Sequence, residues 1–330
     1  MKLKIISKSD VKQSINMTQA IDAVKEAFVQ VSQEKAVVPQ RIQVPVKKQE
    51  GITLFMPVYL AASDSLGVKI VSVFPENLKC CLPTVNAVVI LINTKTGRAE
   101  AIIDGTYLTA LRTGAASGVA TDLLARKNSR VAAIFGAGIQ GRTQLEAVCT
   151  VRHIEKAWIY DRKIESAKNY VKELKSRGKP FPTELFVARS PAHAVNDADI
   201  ICTATTSFSP VFEDTDLKDG VHINGIGSYT PEMQEVPAHT VARARVIVDS
   251  LSAALSEAGD LIIPLNEKKI TKSHIQGEIG QVAAGQIPGR QSDKELTFFK
   301  SVGIASQDVA VGELILRNTK KLNLGIDVDL

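Results

Sequence analysis

A glycine-rich turn follows an apolar run near the middle of the chain. Its residues match the pattern G-x-G-x-x-G from Gly136 to Gly141, closing the predicted strand RVAAIF and opening a predicted helix. In such a turn the first glycine, Gly136, permits the tight bend. The second, Gly138, lets the backbone approach a pyrophosphate, and the third allows close packing of helix on strand. The phosphate lies at the positive end of the helix dipole. This context indicates a dinucleotide-binding loop; a tight turn without a ligand is the alternative.

The next predicted strand, KAWIYD, ends at Asp161. A carboxylate at this position accepts hydrogen bonds from the ribose hydroxyls and repels a 2′-phosphate, which favours NAD. Arg162 and Lys163 follow directly and could tolerate a phosphate, so NADP stays possible. A solvated surface charge is the other interpretation of Arg162. Either cofactor implies hydride transfer.

Composition indicates a soluble globular protein and excludes several other classes. The chain has 330 residues, enough for two domains, and its net charge of +5 comes from scattered lysines and arginines. We expect no nucleic-acid binding and no membrane association, because no basic stripe and no long apolar run occurs. The N-terminal MKLKIISKSD predicts a first strand rather than a signal peptide.

The metal-ligating residue types are few and scattered. Four cysteines and five histidines match no ligand spacing, so we expect no metal site. The adjacent Cys80 and Cys81 cannot easily bridge each other. Free thiols in a reducing cytoplasm are the simplest interpretation, and we expect a cytoplasmic protein.

Helical and strand periodicities divide the first part of the chain. Residues 18–34 have helical spacing, with Thr18 as a candidate N-cap. Strands rich in Val and Ile follow, and the last forms a hairpin around Lys95–Gly97. The first 105 residues are therefore predicted to form one helix and a mostly antiparallel sheet. Residues 107–126 predict a helix whose small side chains, Gly114 and Gly118 among them, permit close approach.

From Ser129 onward, apolar strands alternate with helices, which indicates a doubly wound parallel sheet. The last residues predict a helix and a tail that pack back on the first domain. The predicted fold is thus α/β, a Rossmann-like sheet inserted into a discontinuous α+β domain. We predict a substrate-binding and dimerisation domain at 1–115 plus 305–330, and an NAD-binding domain at 116–304.

Several segments together resemble the ornithine cyclodeaminase/mu-crystallin family. They run in family order over nearly the whole chain, and LRTGAASG with SVGIASQD is the most specific pair. The matching segments are RIQVPV, GVKIVSVFP, TALRTGAASGVAT, FGAGIQG, NGIGSYTPEMQEV and FFKSVGIASQDVA. The resemblance implies a homodimer whose N-terminal sheets meet across the two-fold axis. It also implies one active site per subunit between sheet and Rossmann domain.

The resemblance assigns roles to particular positions. The substrate pocket is expected to contain Arg41, Lys69, Arg112 and Val302. The cofactor contacts are expected among Thr84, Arg112, Thr113, Gly136, Gly138, Ile139, Gln140, Gly141, Asp161, Arg162, Thr205, Ser228 and Ser301. A guanidinium grips a carboxylate in a bidentate way. Lys69 lies between apolar residues, so we expect it to face inward, where burial lowers its pKa and makes it a useful proton donor or acceptor.

One loop departs from the cyclodeaminases, which carry an acid/base aspartate there. The corresponding place in GIGSYTPEMQE is Ser228 or Tyr229. Glu232 is the nearest carboxylate and the candidate catalytic group beside Lys69; Glu235 is the next. Either glutamate could instead be a solvated loop charge. The loop is closer to the ketimine reductase and mu-crystallin branch.

We therefore predict an NAD(P)H-dependent reductase of a small α-imino acid, a cyclic ketimine such as pyrroline-2-carboxylate or an open imine of a keto acid and ammonia. The reverse direction is amino-acid dehydrogenation. Ornithine cyclodeaminase, with NAD recycled, is one alternative. A non-catalytic ligand-binding protein of the crystallin type is the other.

Overall fold

The computed structural model describes residues 2–330, apart from the side chain of Leu78. The strands in chain order are β1 (Lys2–Ile6), β2 (Ala36–Val37), β3 (Ile42–Val46), β4 (Gly51–Leu60), β5 (Ser65–Val73), β6 (Val85–Ile92), β7 (Ala99–Asp104), β8 (Val131–Phe135), β9 (Lys156–Tyr160), β10 (Glu184–Val187), β11 (Ile200–Thr203), β12 (His222–Gly225), β13 (Arg245–Val248), β14 (Ile275–Glu278), β15 (Thr297–Lys300) and β16 (Ile326–Asp329). The α-helices are α1 (Lys8–Ser14), α2 (Met17–Ser32), α3 (Gly105–Leu124), α4 (Ile139–Val151), α5 (Ile164–Arg177), α6 (Pro191–Val195), α7 (Ala238–Arg243), α8 (Leu251–Glu257), α9 (Gly259–Asn266), α10 (Ile279–Ala283) and α11 (Ala305–Leu322).

The chain divides into two compact units. Unit 1 is Met1–Arg112 with Ile304–Leu330, and unit 2 is Thr113–Gly303. The first boundary lies within α3. The boundaries predicted from the sequence, after residues 115 and 304, are close to these.

Unit 1 is a mixed sheet covered by helices on one face. Its strand order is β16-β1-β7-β6-β5-β4-β2, with β3 also paired to β4. Pairing is antiparallel except between β1 and β7. Helices α2 and α11 pack against each other, and α11 also packs on β4, β5 and β6. The C-terminal segment therefore completes the N-terminal domain, as predicted.

Helix α2 follows its apolar periodicity, since Ile21, Val24 and Phe28 are buried on one face. The predicted cap was wrong. Asn16 caps α2, accepting from the Gln19 amide at 2.9 Å, while Gln19 Oε1 accepts from the Asn16 amide. Thr18 lies inside the helix. A second short helix, α1, precedes it, and the prediction of a single helix before the sheet was also wrong.

Unit 2 contains a fully parallel sheet in the order β10-β9-β8-β11-β12-β15-β13-β14. The order reverses between β8 and β11, which makes their carboxyl ends a topological switch point, where ligands bind in such sheets. Alternate residues of β8 enter different cores: Ala132 and Ile134 on one face, Ala133 and Phe135 on the other. Buried apolar residues on both faces are the expected property of a doubly wound sheet. The predicted fold class is confirmed.

Two strands of unit 2 are not evident in the sequence pattern. Strand β15, with sequence TFFK, inserts between β12 and β13, and β14 forms the edge beside β13. The close approach predicted for the small residues of α3 is present, because a Cβ on Gly114 would lie 2.5 Å from the carbonyl oxygen of Thr143.

Candidate functional site

Lys69 is a buried lysine on the central strand β5 of unit 1. Strand alternation points it toward the face covered by α11, and it is only 2% exposed. Its Nζ donates to Asp308 Oδ2 at 2.7 Å. Asp308 lies in the first turn of α11 and is fully buried. The prediction that Lys69 faces inward is confirmed.

Arg112 shares the same carboxylate. It lies on α3, 6% exposed, and its Nε donates to Asp308 Oδ1 at 3.0 Å. Its Nη1 donates to Gln307 Oε1 at 2.8 Å. Each oxygen of Asp308 therefore holds one buried cation. Because Nε donates to Asp308 and Nη1 to Gln307, a ligand carboxylate would share the guanidinium with these two side chains.

The surroundings of Lys69 bring its pKa close to neutral pH. Burial, reinforced by the guanidinium of Arg112, lowers the pKa of Lys69 from 10.5 to about 7, against the opposing attraction of Asp308. The charge of Arg41, half-buried just before β3, lowers this pKa further by a smaller amount. A lysine with this pKa can give or take a proton at physiological pH.

Asp308 and Gln307 were missed by sequence reasoning, although both lie in a segment quoted for the family resemblance. A lysine that stays charged within an apolar strand is stabilised by a buried counter-charge. Nothing local points to Asp308, since it is 239 residues from Lys69 in sequence. Thr84, an expected cofactor contact, is half-buried beside β6, and its carbonyl accepts from the Phe74 amide at 2.8 Å.

The glycine loop of unit 2 has the shape of a phosphate cradle. Gly136 has φ +97°, and a Cβ there would lie 2.5 Å from the Ala204 carbonyl oxygen. A Cβ on Gly141 would lie 2.0 Å from the Gly136 oxygen. A Cβ on Gly138, by contrast, meets no atom of the described residues within 4 Å, apart from its own chain neighbours. The protein itself requires the outer two glycines, whereas the middle one faces open space at the start of α4. This arrangement fits a bound pyrophosphate.

Asp161 lies against this loop. Its Oδ2 accepts from the Ala137 amide and its Oδ1 from the Lys163 amide, each at 2.8 Å. The carboxylate is thereby fixed beside the turn while its remaining lone pairs stay able to accept from a ribose. Arg162 is exposed. Ile139, at the start of α4, is 63% exposed, an apolar side chain that a ligand could cover.

Glu235 is not the solvated loop charge considered above: it is fully buried. Its Oε1 accepts from the amide and the hydroxyl of Thr205, at 2.6 and 2.7 Å. Its Oε2 accepts from the Thr203 hydroxyl at 2.9 Å and the Gly227 amide at 2.7 Å. Glu235 thus ties the loop after β11 to the loop after β12.

A second buried acid, Asp260, holds the backbone at Glu235. Asp260 Oδ1 accepts from the amides of Glu235 and Val236, and Asp260 Oδ2 lies 3.1 Å from Lys300 Nζ. Burial and the carboxylate of Asp260 raise the pKa of Glu235 above its ordinary value, against the effect of Lys300.

The remaining loop candidates differ in exposure. The Ser228 hydroxyl is buried, donates to the Met233 carbonyl at 2.7 Å and accepts from the Asp260 amide. Its proton is therefore already used within unit 2. Tyr229 is 43% exposed, and Glu232 is exposed on the same loop.

The segment after β15 is held by another buried carboxylate. Asp249 Oδ2 accepts from the Ser301 hydroxyl at 2.7 Å, the Val302 amide at 3.0 Å and the Gly303 amide at 2.6 Å. Sequence reasoning missed Asp249, which directly follows β13 and fixes two predicted contact residues.

Among the described residues 2–330, no group of three or more His, Cys, Asp and Glu side chains could hold a metal ion. No helix in the same range is long and apolar enough to cross a membrane.

Known proteins resemble this chain over its whole length. A Delta(1)-pyrroline-2-carboxylate reductase of Bacillus cereus is 39% identical over 323 residues, which cover 97% of this chain and 98% of the relative. The Thermococcus litoralis Delta(1)-pyrroline-2-carboxylate reductase, solved in complex with NADH and L-proline, matches with a TM-score of 0.95 at 41% identity, covering 98% of this chain and all of the other. An archaeal alanine dehydrogenase dimer with bound NAD matches at 0.93 and 35% identity, over the full length of both chains. The model of the ornithine cyclodeaminase/mu-crystallin family matches residues 1–323. The chain belongs to the ornithine cyclodeaminase/mu-crystallin family.

Proposed function

We propose that this protein is an NAD-dependent reductase that converts Δ1-pyrroline-2-carboxylate to L-proline. The observation that carries the proposal is the buried Asp308 carboxylate with Lys69 on one oxygen and Arg112 on the other. It places a proton donor next to a carboxylate-binding guanidinium, the two groups that reduction of an α-imino acid requires. The similarity to Δ1-pyrroline-2-carboxylate reductases supports this choice of substrate.

Arg112 and Arg41 bind the substrate carboxylate in this proposal. Arg112 binds the carboxylate through its Nη groups, since Nε already donates to Asp308 and one Nη1 hydrogen to Gln307. A buried charge-assisted pair of this kind fixes both the position and the plane of the carboxylate. The imine nitrogen, attached to the adjacent carbon, is thereby oriented for protonation.

Lys69 is the general acid. Its Nζ donates a proton to the imine nitrogen, which makes the attached carbon electrophilic. Reduced nicotinamide, when bound, supplies the hydride that completes the reduction. The neutral lysine regains a proton from solvent, at little cost because its pKa is about 7. In the reverse direction the same amine accepts the proton.

Unit 2 holds the cofactor in this proposal, and NAD is preferred to NADP. The glycine loop and the start of α4 hold the pyrophosphate, and Asp161 holds the ribose. The buried acids Glu235 and Asp249 fix the loops that carry Thr205, Ser301 and Val302.

A homodimer formed through the sheet of unit 1 is also part of the proposal. The face of this sheet opposite α11 is apolar and partly exposed. Cross-strand neighbours on it include Val68 beside Ile90, Ile90 beside Ile102, and Ile70 beside Val88. A contiguous apolar face of this kind marks an interface. Free cysteines suit a cytoplasmic location, which we propose as well.

Dehydrogenation of a small amino acid such as alanine is the second candidate, favoured by the similarity to an alanine dehydrogenase. It uses the same groups in the opposite direction. Ornithine cyclodeamination is less well supported, because Ser228 or Tyr229 stands where the cyclodeaminases are expected to carry an aspartate. A purely binding role does not require a buried lysine with a pKa near neutrality.

The test is to incubate the purified protein with Δ1-pyrroline-2-carboxylate and NADH. We expect consumption of NADH in step with the formation of L-proline, identified by chiral chromatography. Lys69→Met is the matched control and should lose at least about a hundredfold in kcat, the scale of a positioned acid. Absence of NADH consumption by the wild type would refute the proposal.

A further inference from the structure

We propose that Asp308 is a positioning residue that keeps Lys69 protonated and Arg112 oriented for the reaction. The inference deepens the proposed function and rests on it, because it takes Lys69 as the proton donor. Asp308 itself is not assigned a contact with substrate or cofactor.

The first argument is the charge balance of the cluster. Three cationic groups act on one another here: Lys69 on β5, Arg112 on α3 and Arg41 before β3. Asp308, on α11, is the anion in contact with two of them. Burial and both arginines favour the neutral amine, and Asp308 alone among these groups opposes them. Loss of its charge should therefore lower the pKa of Lys69 further.

The second argument is geometric. Asp308 uses a different oxygen for each cation, so one carboxylate sets the separation and the mutual orientation of amine and guanidinium. Gln307, the preceding residue, holds Nη1 of the same guanidinium. Both arise from the first turn of α11, which is packed on β5. Helix α11 therefore positions the two side chains that bind Lys69 and Arg112.

Asp308→Asn is the decisive variant, because it keeps the shape and one acceptor but removes the charge. Loss of an adjacent opposite charge shifts a pKa by about 1–3 units. Since the protonated lysine is the active form, kcat/KM falls as pH rises through its pKa. The wild type should show this break near pH 7. In Asp308→Asn the break should move to lower pH by about 1 unit or more, so that activity at pH 7 falls about fivefold or more and recovers on acidification.

Asp308→Glu is the conservative control, since it retains the charge on a longer side chain. We expect its pH break to stay near that of the wild type, while the displaced carboxylate raises KM. An unshifted break in Asp308→Asn would overturn the proposal. So would an equal shift in both variants, because the charge would then not be the cause. If Asp308→Asn does not fold, a break in Asp308→Glu displaced by about a unit or more would overturn it too.

A direct readout separates this inference from the reaction. Protein labelled with ¹³C at the lysine Cε carbons is titrated by NMR without substrate or cofactor, and the Lys69 signal is identified by its loss in Lys69→Met. We expect a titration near neutrality in the wild type and a lower one in Asp308→Asn. If the lysine shifts as expected but Δ1-pyrroline-2-carboxylate is not reduced, the proposed function fails and the role of Asp308 stands. If reduction occurs and the lysine does not shift, the role of Asp308 fails alone.

Discussion

Removal of the Glu235 side chain is expected to destabilise unit 2 and weaken cofactor binding together. Four donors converge on this buried carboxylate, two of them the backbone amides of Thr205 and Gly227. The hydroxyls of Thr203 and Thr205 can rotate toward other acceptors, but the amides cannot. Each stranded buried donor costs about 1–3 kcal/mol. Part of this loss of stability is offset, because the repulsion between Glu235 and Asp260 also disappears. Glu235→Ala should therefore lower the free energy of unfolding by about 2–4 kcal/mol.

Glu235→Gln should lose less. Its amide oxygen can still accept from the Thr205 amide, but its amide nitrogen faces the Gly227 amide, which leaves one donor stranded and costs about 1–3 kcal/mol. Glu232→Ala, on the exposed part of the same loop, is the matched control and should change stability by less than about 0.5 kcal/mol.

Urea denaturation measures the stability of the three variants, and quenching of intrinsic fluorescence by NADH measures their affinity. We expect the NADH dissociation constant of Glu235→Ala to rise about tenfold, or about 1.4 kcal/mol, because the Thr205 loop is released. Wild-type stability and affinity in Glu235→Ala would refute the reasoning. A large loss in Glu232→Ala would show that the loop, rather than its buried carboxylate, is the sensitive element.

Three further substitutions test the cofactor and substrate assignments. Asp161→Ser should raise kcat/KM with NADPH relative to NADH, since the repulsion of a 2′-phosphate is lost; a wild type that already prefers NADPH would contradict the role of Asp161. Arg112→Leu should lower kcat/KM by an amount equivalent to about 2–5 kcal/mol, because the buried substrate carboxylate loses its charged partner. A near-normal kcat/KM would show that Arg112 does not belong to the site. Gly138→Ala should keep the wild-type melting temperature and lose NADH affinity. Gly141→Ala should lower the melting temperature, because its Cβ would lie 2.0 Å from a carbonyl oxygen. Unchanged NADH affinity in Gly138→Ala would contradict a phosphate-binding role of the glycine loop.

The fold was predictable where the sequence pattern is local. The strand–helix alternation from Ser129 onward and the apolar periodicity of α2 both reflect elements buried on one or two faces. The spacing of apolar residues in the sequence shows this burial directly. Strands β14 and β15 were not recognised in the sequence. The cap of α2 was misplaced since Asn16 and Thr18 are both good cap residues, and only the hydrogen bonds of Asn16 distinguish them.

The candidate site was predictable only in part. The apolar neighbours of Lys69 indicated its burial, but the identity of its counter-ion depends on how α11 packs on β5. Glu235 illustrates the opposite error. A glutamate in a polar loop resembles a solvated charge. Its burial is evident only in the structure, where donors from β11 and from the loop after β12 surround its carboxylate. Buried charges are decided by tertiary partners, which local sequence does not record.

The most direct test of the account is a comparison of substrates with one preparation of the wild-type protein. We expect kcat/KM for Δ1-pyrroline-2-carboxylate with NADH to exceed that for ornithine at least tenfold, because a positioned acid/base group missing from the loop is worth about 10²–10⁴-fold. Ornithine conversion is followed by ammonia release with catalytic NAD⁺ and no net change in NADH. Ammonia release at an efficiency comparable to imine reduction would contradict the account and would identify a cyclodeaminase instead.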